Sequence, residues 1–511
     1  MNGQPVVEPT AMPLTGRLGR TPSVVLHEHV LAPQFQFEVD HLLGWYRVVE
    51  RVLLAEYTRM GLVTEPEAAA IAALLDTATA DRITADPAAN LSDICLALER
   101  HVLAGLATVP SAWHVDRSRN DIQATVQLLY ARSELLDIAE ALVELTRVAQ
   151  HRAAAVTHLP MPGYTHLQAA QVSTPGFFLS ALVEHCLRTL RRLLATYDEI
   201  NLSPLGAGAL TGQELPWDRD RMALLLGCAS PHPHALTAVA SRAWALEIAG
   251  ELSHFGVGTS RFVTDLMAWA SSAYGFVELP DELAGISAAM PQKKNYPVLE
   301  RIRGRTAHLT SLALDLATAQ RATPYSNMVE VSKEAGAYLH DLFRSARGVL
   351  ALLRTVLENL DWRPEAMRSA CDREFLGGFT LANRLTLDEK VPWRTAQVIV
   401  GRYVSAKLAA GDPLDRPDAS LLADLAEAAG YLLTDPAARL RGLDSEGQLA
   451  VKCSAGSARP DHVRDLLDRQ GVALDALAGQ LGRRRATVEA AIREVHALFA
   501  AGSPTAARGP A

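Results

Sequence analysis

Five stretches of this chain carry apolar residues at helical spacing for longer than a globular helix usually runs. Ile122–Ala154 places Val126, Leu129, Ile138, Leu142, Leu145 and Val148 close to one helical face. Thr174-Pro175 supplies a cap and a first-turn proline for a second helix, reaching about Asn201. Leu236–Tyr274, Pro297–Ala322 and Val331–Leu360 are three more. A helix of 27 residues is about 40 Å long, more than twice the usual length. Such helices predict a long bundle in which some turns are buried on more than one side. One compact monomer buries them awkwardly, and self-association would relieve the problem. Strand-like alternation is scarce, so the expected fold is all-α.

The flanks differ from the middle. A Pro/Gly/Thr-rich arm covers the first twenty residues, followed by short helical patterns. Thr64 and Glu67 have capping-box spacing ahead of Ala68–Ala80. After Asp361 the helices are expected to shorten again, with a turn or linker at Asp412–Pro417. The expected organisation is an N-terminal helical domain (1–121), a central long-helix bundle (122–360), a C-terminal helical domain (361–501) and a disordered tail (502–511).

Composition narrows the function. The net charge of −8 shows no basic face, which disfavours a nucleic-acid partner. The five cysteines are odd in number, widely spaced and free of any CxxC pair, so reduced thiols are the expectation. Met1 to Arg20 has no signal-peptide pattern. No uncharged run reaches the roughly 18 residues needed to span a bilayer. These features describe a cytoplasmic chain with no membrane partner.

The segments between the long helices hold the chemistry. Gly285-Ile-Ser-Ala-Ala-Met-Pro-Gln-Lys-Lys-Asn295 brings a hydroxyl, two ammonium groups and a carboxamide ahead of a helix opened by Pro297. Helix N-termini and lysines both favour anions; taken alone, the loop also reads as a solvated turn. Met161-Pro-Gly-Tyr-Thr-His-Leu-Gln168 sets the Thr165 hydroxyl beside the His166 imidazole, which titrates near neutrality. A lone histidine is more often structural. In His114-Val-Asp-Arg-Ser-Arg-Asn-Asp121, Arg117 and Arg119 suit bidentate carboxylate binding. They equally suit pairing with Asp116 and Asp121.

These three segments and Ser203-Pro-Leu-Gly-Ala-Gly-Ala-Leu210 occur in the order seen in argininosuccinate lyases, and the chain resembles that family from about Arg51 to Ala406. Phe379–Tyr403 resembles the family's C-terminal helical domain. The resemblance implies a fumarase/aspartase-like fold and a homotetramer. In it the long helices pool into one bundle, and each active site takes loops from three subunits. It implies β-elimination of an N-succinyl substrate, a small dicarboxylate, to fumarate and an amine. The intermediate is a dianionic aci-carboxylate, so preorganised positive charge is the largest expected catalytic contribution.

By register with the family motif, Ser287 matches the base that removes the proton. A serine hydroxyl needs activation, for which Lys293 and backbone N–H groups are the candidates. Asn295 would hold the carboxylate on which charge accumulates. His166 matches the histidine on the leaving-group side, and Glu300 the glutamate that pairs with it. Ser118, Arg119 and Asn120 match the loop that grips the fumarate-forming half, joined by Thr165; Arg242 matches a residue with a similar role. No step of this chemistry calls for a metal or organic cofactor.

The departures from the family pattern gather around the departing amine. The usual Thr-Gly before Arg-Ser-Arg-Asn-Asp is Val115-Asp116 here, and Ile286-Ser287-Ala288 replaces Gly-Ser-Ser. Tyr325 and Lys333 are kept in a segment that recognises the amino-acid half, whereas Glu330 replaces a glutamine and Met328 an aspartate. A Gly-Gly-Arg-Phe motif is reduced to Leu14-Thr-Gly-Arg-Leu18. The sequence therefore leaves open argininosuccinate, another N-succinyl amine paired through Glu330, or an inert helical scaffold. Pro-Gln-Lys-Lys-Asn, where aspartases and fumarases carry Pro-Gly-Lys-Val-Asn, favours the argininosuccinate-like branch.

Overall fold

The computed structural model describes residue 17, residues 20–412 and residues 416–499. Apart from Arg17, the Leu14–Leu18 segment lies outside the described residues, as does the tail from Gly502. Among the helices that precede the bundle are α1 (Leu43–Arg59), α2 (Glu65–Asp76) and α3 (Ile94–Gly105). The capping box forms as expected, with Thr64 and Glu67 bonding each other's backbone N–H groups at the start of α2.

The bundle begins at Ser118, whose Oγ accepts the Asn120 N–H at 3.2 Å and caps α4 (Arg119–Ala155). A hairpin of β1 (Met161–Thr165) and β2 (Gln168–Ser173) turns the chain back. Thr174 then caps α5 (Pro175–Ile200) by accepting the Phe177 N–H at 3.0 Å. The third long helix, α6 (Ala243–Trp269), is shorter than expected. The run from Leu236 breaks at Arg242, whose guanidinium takes the carbonyls of Val239 and Ser241. A continuing helix would have used those carbonyls, so the side chain ends one helix and starts the next.

A small ladder of β3 (Gly285–Ile286) and β4 (Lys294–Asn295) leads into α7 (Pro297–Gln320). The expected helix from Val331 is also divided. Glu330–Glu334 is a π-type turn, and α8 starts only at Leu339 and runs to Glu358. A smaller unit follows, in which α9 (Gly378–Leu387) and α10 (Trp393–Ala410) pack around Leu381, Leu385, Ile399 and Tyr403.

The expectation that helices shorten after Asp361 is corrected by α11 (Pro460–Ala497), which at 38 residues exceeds even α4. Its buried residues, Val463, Leu467, Leu474, Leu477, Leu481, Val488 and Val495, form a narrow stripe among many charges. That dilution hides it in sequence. They join the same apolar core as α4 and α5. Gln470 donates to the Ser180 carbonyl at 3.0 Å and Gln150 to that of Leu467 at 2.8 Å.

The helix lengths position the site. At 37 residues, α4 spans about 55 Å, and its neighbours run back and forth beside it. One end of the bundle gathers residues 118–121, 201–217, 242 and 330–334, tied by Asn120 to Ala209, Asp121 to Gly206, and Gln127 to both Arg242 and Ser332. The other end gathers the β1–β2 hairpin, residues 270–300 and the bridge from Val277 to Trp362.

If α11 belongs to the main core, Leu474→Ala should cost about 2–5 kcal/mol by leaving a cavity against α4 and α5. Urea unfolding should then show a lower midpoint with an unchanged slope.

Candidate active site

At the first end of the bundle the two arginines of the motif part company. Arg117 makes two bonds, of 2.8 and 2.6 Å, to the buried carboxylate of Glu50. Burial raises the Glu50 carboxyl, but the Arg117 charge and hydrogen bonds outweigh it and hold it below its ordinary value. Arg117 is thereby structural. Arg119 points outward, about half exposed, and bonds Asp93 at 2.6 Å. Asn120 donates to the Ala209 carbonyl at 3.1 Å. Ser118, Arg119 and Asn120 thus sit together on the N-terminal turn of α4, where the helix dipole favours an anion.

Two carboxylates frame this turn. Asp121 is buried and accepts the N–H groups of Gly206 and Gly208 at 2.9 and 3.0 Å. Burial pushes it up to about 7, against the pull of those donors. Asp116, the departure from the family motif, accepts from Leu215 N at 2.7 Å and Trp217 Nε1 at 2.9 Å. Burial opposes its charge, yet these bonds hold the carboxyl below its usual range. Its φ of 54° is a conformation that aspartate tolerates better than most residues.

A cavity of about 520 Å³ lies nearby, lined by Arg242, Lys333, Glu38, Gln127, Tyr130 and Gln320 among others. Arg242 is almost fully buried, and burial lowers its guanidinium to about 10. Its Nη2 and the Nε2 of Gln320 have no hydrogen-bond partner, so two buried donors border the same space. Lys333 is ion-paired with the buried Glu38, a residue that no sequence pattern singled out. Tyr325 and Glu330 are exposed, and among the described residues their side chains make no hydrogen bond or ion pair.

At the opposite end, Thr165 and His166 stand exposed at the tip of the β1–β2 hairpin. His166 and Leu167 have φ of 54° and 60°, so the two-residue turn is left-handed at both positions without a glycine. That backbone is costly for such residues and projects the imidazole outward. Ser287 lies just beyond β3, and its Oγ accepts the Met290 N–H at 3.1 Å. Lys294 is held by Asp281 at 2.9 Å and Glu278 at 3.4 Å, whereas the Lys293 side chain has no partner among the described residues. Lys293, Asn295 and Glu300 line one cavity of about 680 Å³.

The Lyase family matches residues 35–309, just over half of the chain, and this span contains all these loops except the Tyr325–Lys333 segment. The chain belongs to that family. Argininosuccinate lyase 1 of Shouchella clausii is 30% identical over 80% of this lyase and 82% of its own length. The argininosuccinate lyase of Desulforamulus reducens is 33% identical over 68% and 75%. In fold, the lyase is similar to EDDS lyase in complex with formate, with a TM-score of 0.79, 23% identity, and coverage of 92% of this chain and 97% of that one. A class II fumarase from Schistosoma mansoni superposes with a TM-score of 0.62 at 15% identity, covering 78% and 88%. The protein is a carbon–nitrogen lyase of the argininosuccinate lyase-like branch of the fumarase/aspartase superfamily, and its fold is all-α.

Within one chain of the lyase, Ser118–Asn120 come together, and so do Lys293, Asn295 and Glu300. Among the described residues His166 and Glu300 make no side-chain hydrogen bond or ion pair, so the expected pair is not formed within one chain. Ser118–Asn120 stand at the end of the bundle opposite to Ser287 and His166. Glu38 and Asp93 escaped sequence reading because each meets its cation, Lys333 or Arg119, only through long-range packing, and Gln320 because only the folded cavity sets it beside Arg242.

Arg117→Met should leave Glu50 as an uncompensated buried charge and cost about 3–5 kcal/mol at neutral pH. The folded-state pKa of Glu50 is depressed, so the pair's stabilisation is present above the ordinary value of 4.5 and lost as pH falls through the lower folded value. Thermal unfolding from pH 7 down to pH 3 should show the gap between wild type and variant closing in acid.

Proposed function

We propose that this lyase cleaves an N-succinyl substrate, argininosuccinate or a close relative, into fumarate and an amine. The reading is carried by the separation of its polar loops. Ser118–Asn120 and the Ser287/His166 loops stand at opposite ends of a bundle whose longest central helix, of 37 residues, spans about 55 Å. They match one reaction's parts and cannot meet within one chain. Antiparallel packing of several copies would bring the first end of one beside the second end of another. We therefore take the enzyme to be a homotetramer with sites shared between subunits, in the cytoplasm. In support, α7 leaves Gly304, Ala307, Ser311, Leu314 and Thr318 exposed at alternating three- and four-residue spacing. Helices use that spacing to pack on one another.

In the proposed reaction the Ser287 oxygen takes the proton next to a substrate carboxylate. The released electron pair forms the carbon–carbon double bond as the C–N bond breaks. The nitrogen leaves with its bonding pair and takes a proton on the His166/Thr165 side. Lys293 and the Met290 N–H favour the serine oxyanion, and Asn295 holds the carboxylate that gathers charge. Glu300 of a neighbouring copy would orient His166. Ser118, Arg119 and Asn120 grip the dicarboxylate half, with Arg119 exchanging Asp93 for substrate.

A second reading keeps this chemistry and changes the amine. Glu330 is exposed and, among the described residues, unpaired on the turn that carries Lys333, so it is available to a cationic leaving group. EDDS lyase shares the fold, which shows that this scaffold is not confined to one lyase.

Mixing the enzyme with argininosuccinate should raise the ultraviolet absorbance of fumarate. Ser287→Ala should lower kcat roughly 10²–10⁴-fold, as expected for loss of a general base. An unchanged rate in the variant would overturn the assignment; no release by wild type, with fumarate consumed alongside another amine, would favour the second reading.

Asn120→Ala and Ser287→Ala chains, each inactive alone, should regain activity when unfolded together and refolded as mixed oligomers. Persistent inactivity of well-folded mixtures would rule out shared sites.

A further inference from the structure

The segment from Gly206 to Trp217 belongs to no helix or strand, yet it is held at both ends by carboxylates of the 114–121 motif. At one end Asp121 Oδ2 accepts from Gly206 N at 2.9 Å and Gly208 N at 3.0 Å. Both glycines have positive φ, and a Cβ on Gly208 would stand 2.6 Å from the Gly212 carbonyl oxygen. At the other end the Asp116 carboxylate accepts from Glu214 N at 3.0 Å, Leu215 N at 2.7 Å and Trp217 Nε1 at 2.9 Å. The Asp116 carbonyl accepts from Gln213 Nε2 at 2.6 Å. Trp217 packs edge-on against Tyr57 at 5.1 Å, and the Tyr57 hydroxyl donates to the Val115 carbonyl at 2.7 Å. Asn120 is bonded to the middle of the held segment, through the Ala209 carbonyl at 3.1 Å.

We propose that Asp116 and Asp121 are positioning residues that clamp the 206–217 segment against the Ser118–Asn120 turn and so set the geometry in which the dicarboxylate is bound. The inference rests on the reading of that turn as the dicarboxylate grip. A carboxylate at Asp116 satisfies three N–H donors at once, which no neutral side chain of that size can do. Its left-handed backbone suits aspartate, asparagine or glycine. The clamp acts on Asn120 through the loop and touches no substrate. Its loss therefore loosens binding before it slows the chemical step.

The test is steady-state kinetics on wild type, Asp116→Gly, Asp116→Asn, Asp121→Asn and the double variant Asp116→Gly/Asp121→Asn, with N-succinyl substrate. Glycine keeps the backbone conformation, and asparagine keeps shape and one acceptor, so each covers a folding failure of the other. KM should rise about tenfold in Asp116→Gly and about threefold in Asp116→Asn, with kcat within about twofold, as for loss of charge-assisted hydrogen bonds. The double variant should fall short of the product of the single effects, because both carboxylates act on one segment. Trp217 emission, assigned by difference with Trp217→Phe, should shift in Asp116→Gly as the indole loses its carboxylate. A shifted emission with unchanged KM, or a fall in kcat at constant KM, would overturn the clamp. Turnover by wild type with kinetically silent variants defeats the clamp alone. No fumarate from wild type with any N-succinyl compound defeats the functional reading and the clamp with it.

Discussion

Helix length is the constraint on which the rest of this enzyme depends. A rigid α4 of 37 residues sets its two ends about 55 Å apart, and every loop of chemical interest is attached at one end or the other. Because α4, α5, α6, α7 and α8 run back and forth, successive loops alternate between the two ends. The motif at 118–121 and the loop at 206–217 share one end, while the hairpin carrying His166 and the segment carrying Ser287 share the other. No side chain bridges such a gap. In a shorter or more compact bundle the two groups of loops would lie close together within one chain.

Electrostatics then divides residues of one type into different tasks. Arg117 and Arg119 are two positions apart, yet one is locked onto buried Glu50 and the other lies at the surface beside Asp93. Lys293 and Lys294 are adjacent, yet Lys294 is tied to Asp281 and Glu278 while Lys293 stays unpaired toward the cavity. In each case the partner carboxylate comes from a different element. In each pair one cation is fixed by its partner, while the other is the more accessible to an anionic ligand: Arg119 because its ion pair with Asp93 is exposed and solvent-screened, and Lys293 because it has no partner among the described residues.

The same logic explains why the departures from the family pattern are tolerated. Asp116 adds a negative charge beside a loop expected to bind dicarboxylates, which by itself opposes binding. Its carboxylate is turned away and consumed by the N–H groups of Glu214, Leu215 and Trp217. Glu38 is similarly neutralised by Lys333. Arg242, in contrast, keeps an unpartnered Nη2 beside the neighbouring cavity and has no carboxylate to offset its charge.

The amino-acid sequence by itself determined the all-α class, the starts of α5 and α7, and the loops where chemistry resides. Those follow from local causes: helical spacing of apolar residues, Thr174 as a cap, and prolines at first turns. The start of α4 at Arg119, three residues before the expected Ile122, came from the structure. It also carried the family motifs, which name Ser287, His166 and Lys293 without showing where they stand. Tertiary structure decided what depends on partners far along the chain. Arg242 breaks a helix because its guanidinium competes for carbonyls, with Gln127 holding it in place. The stripe of α11 makes a helix of 38 residues because α4 and α5 cover it. Which arginine or lysine is locked was settled by carboxylates 67 residues away for Arg117 and 16 for Lys294. Local patterns are written in neighbouring residues, whereas burial and ion pairing are properties of surfaces that exist only once the chain has folded.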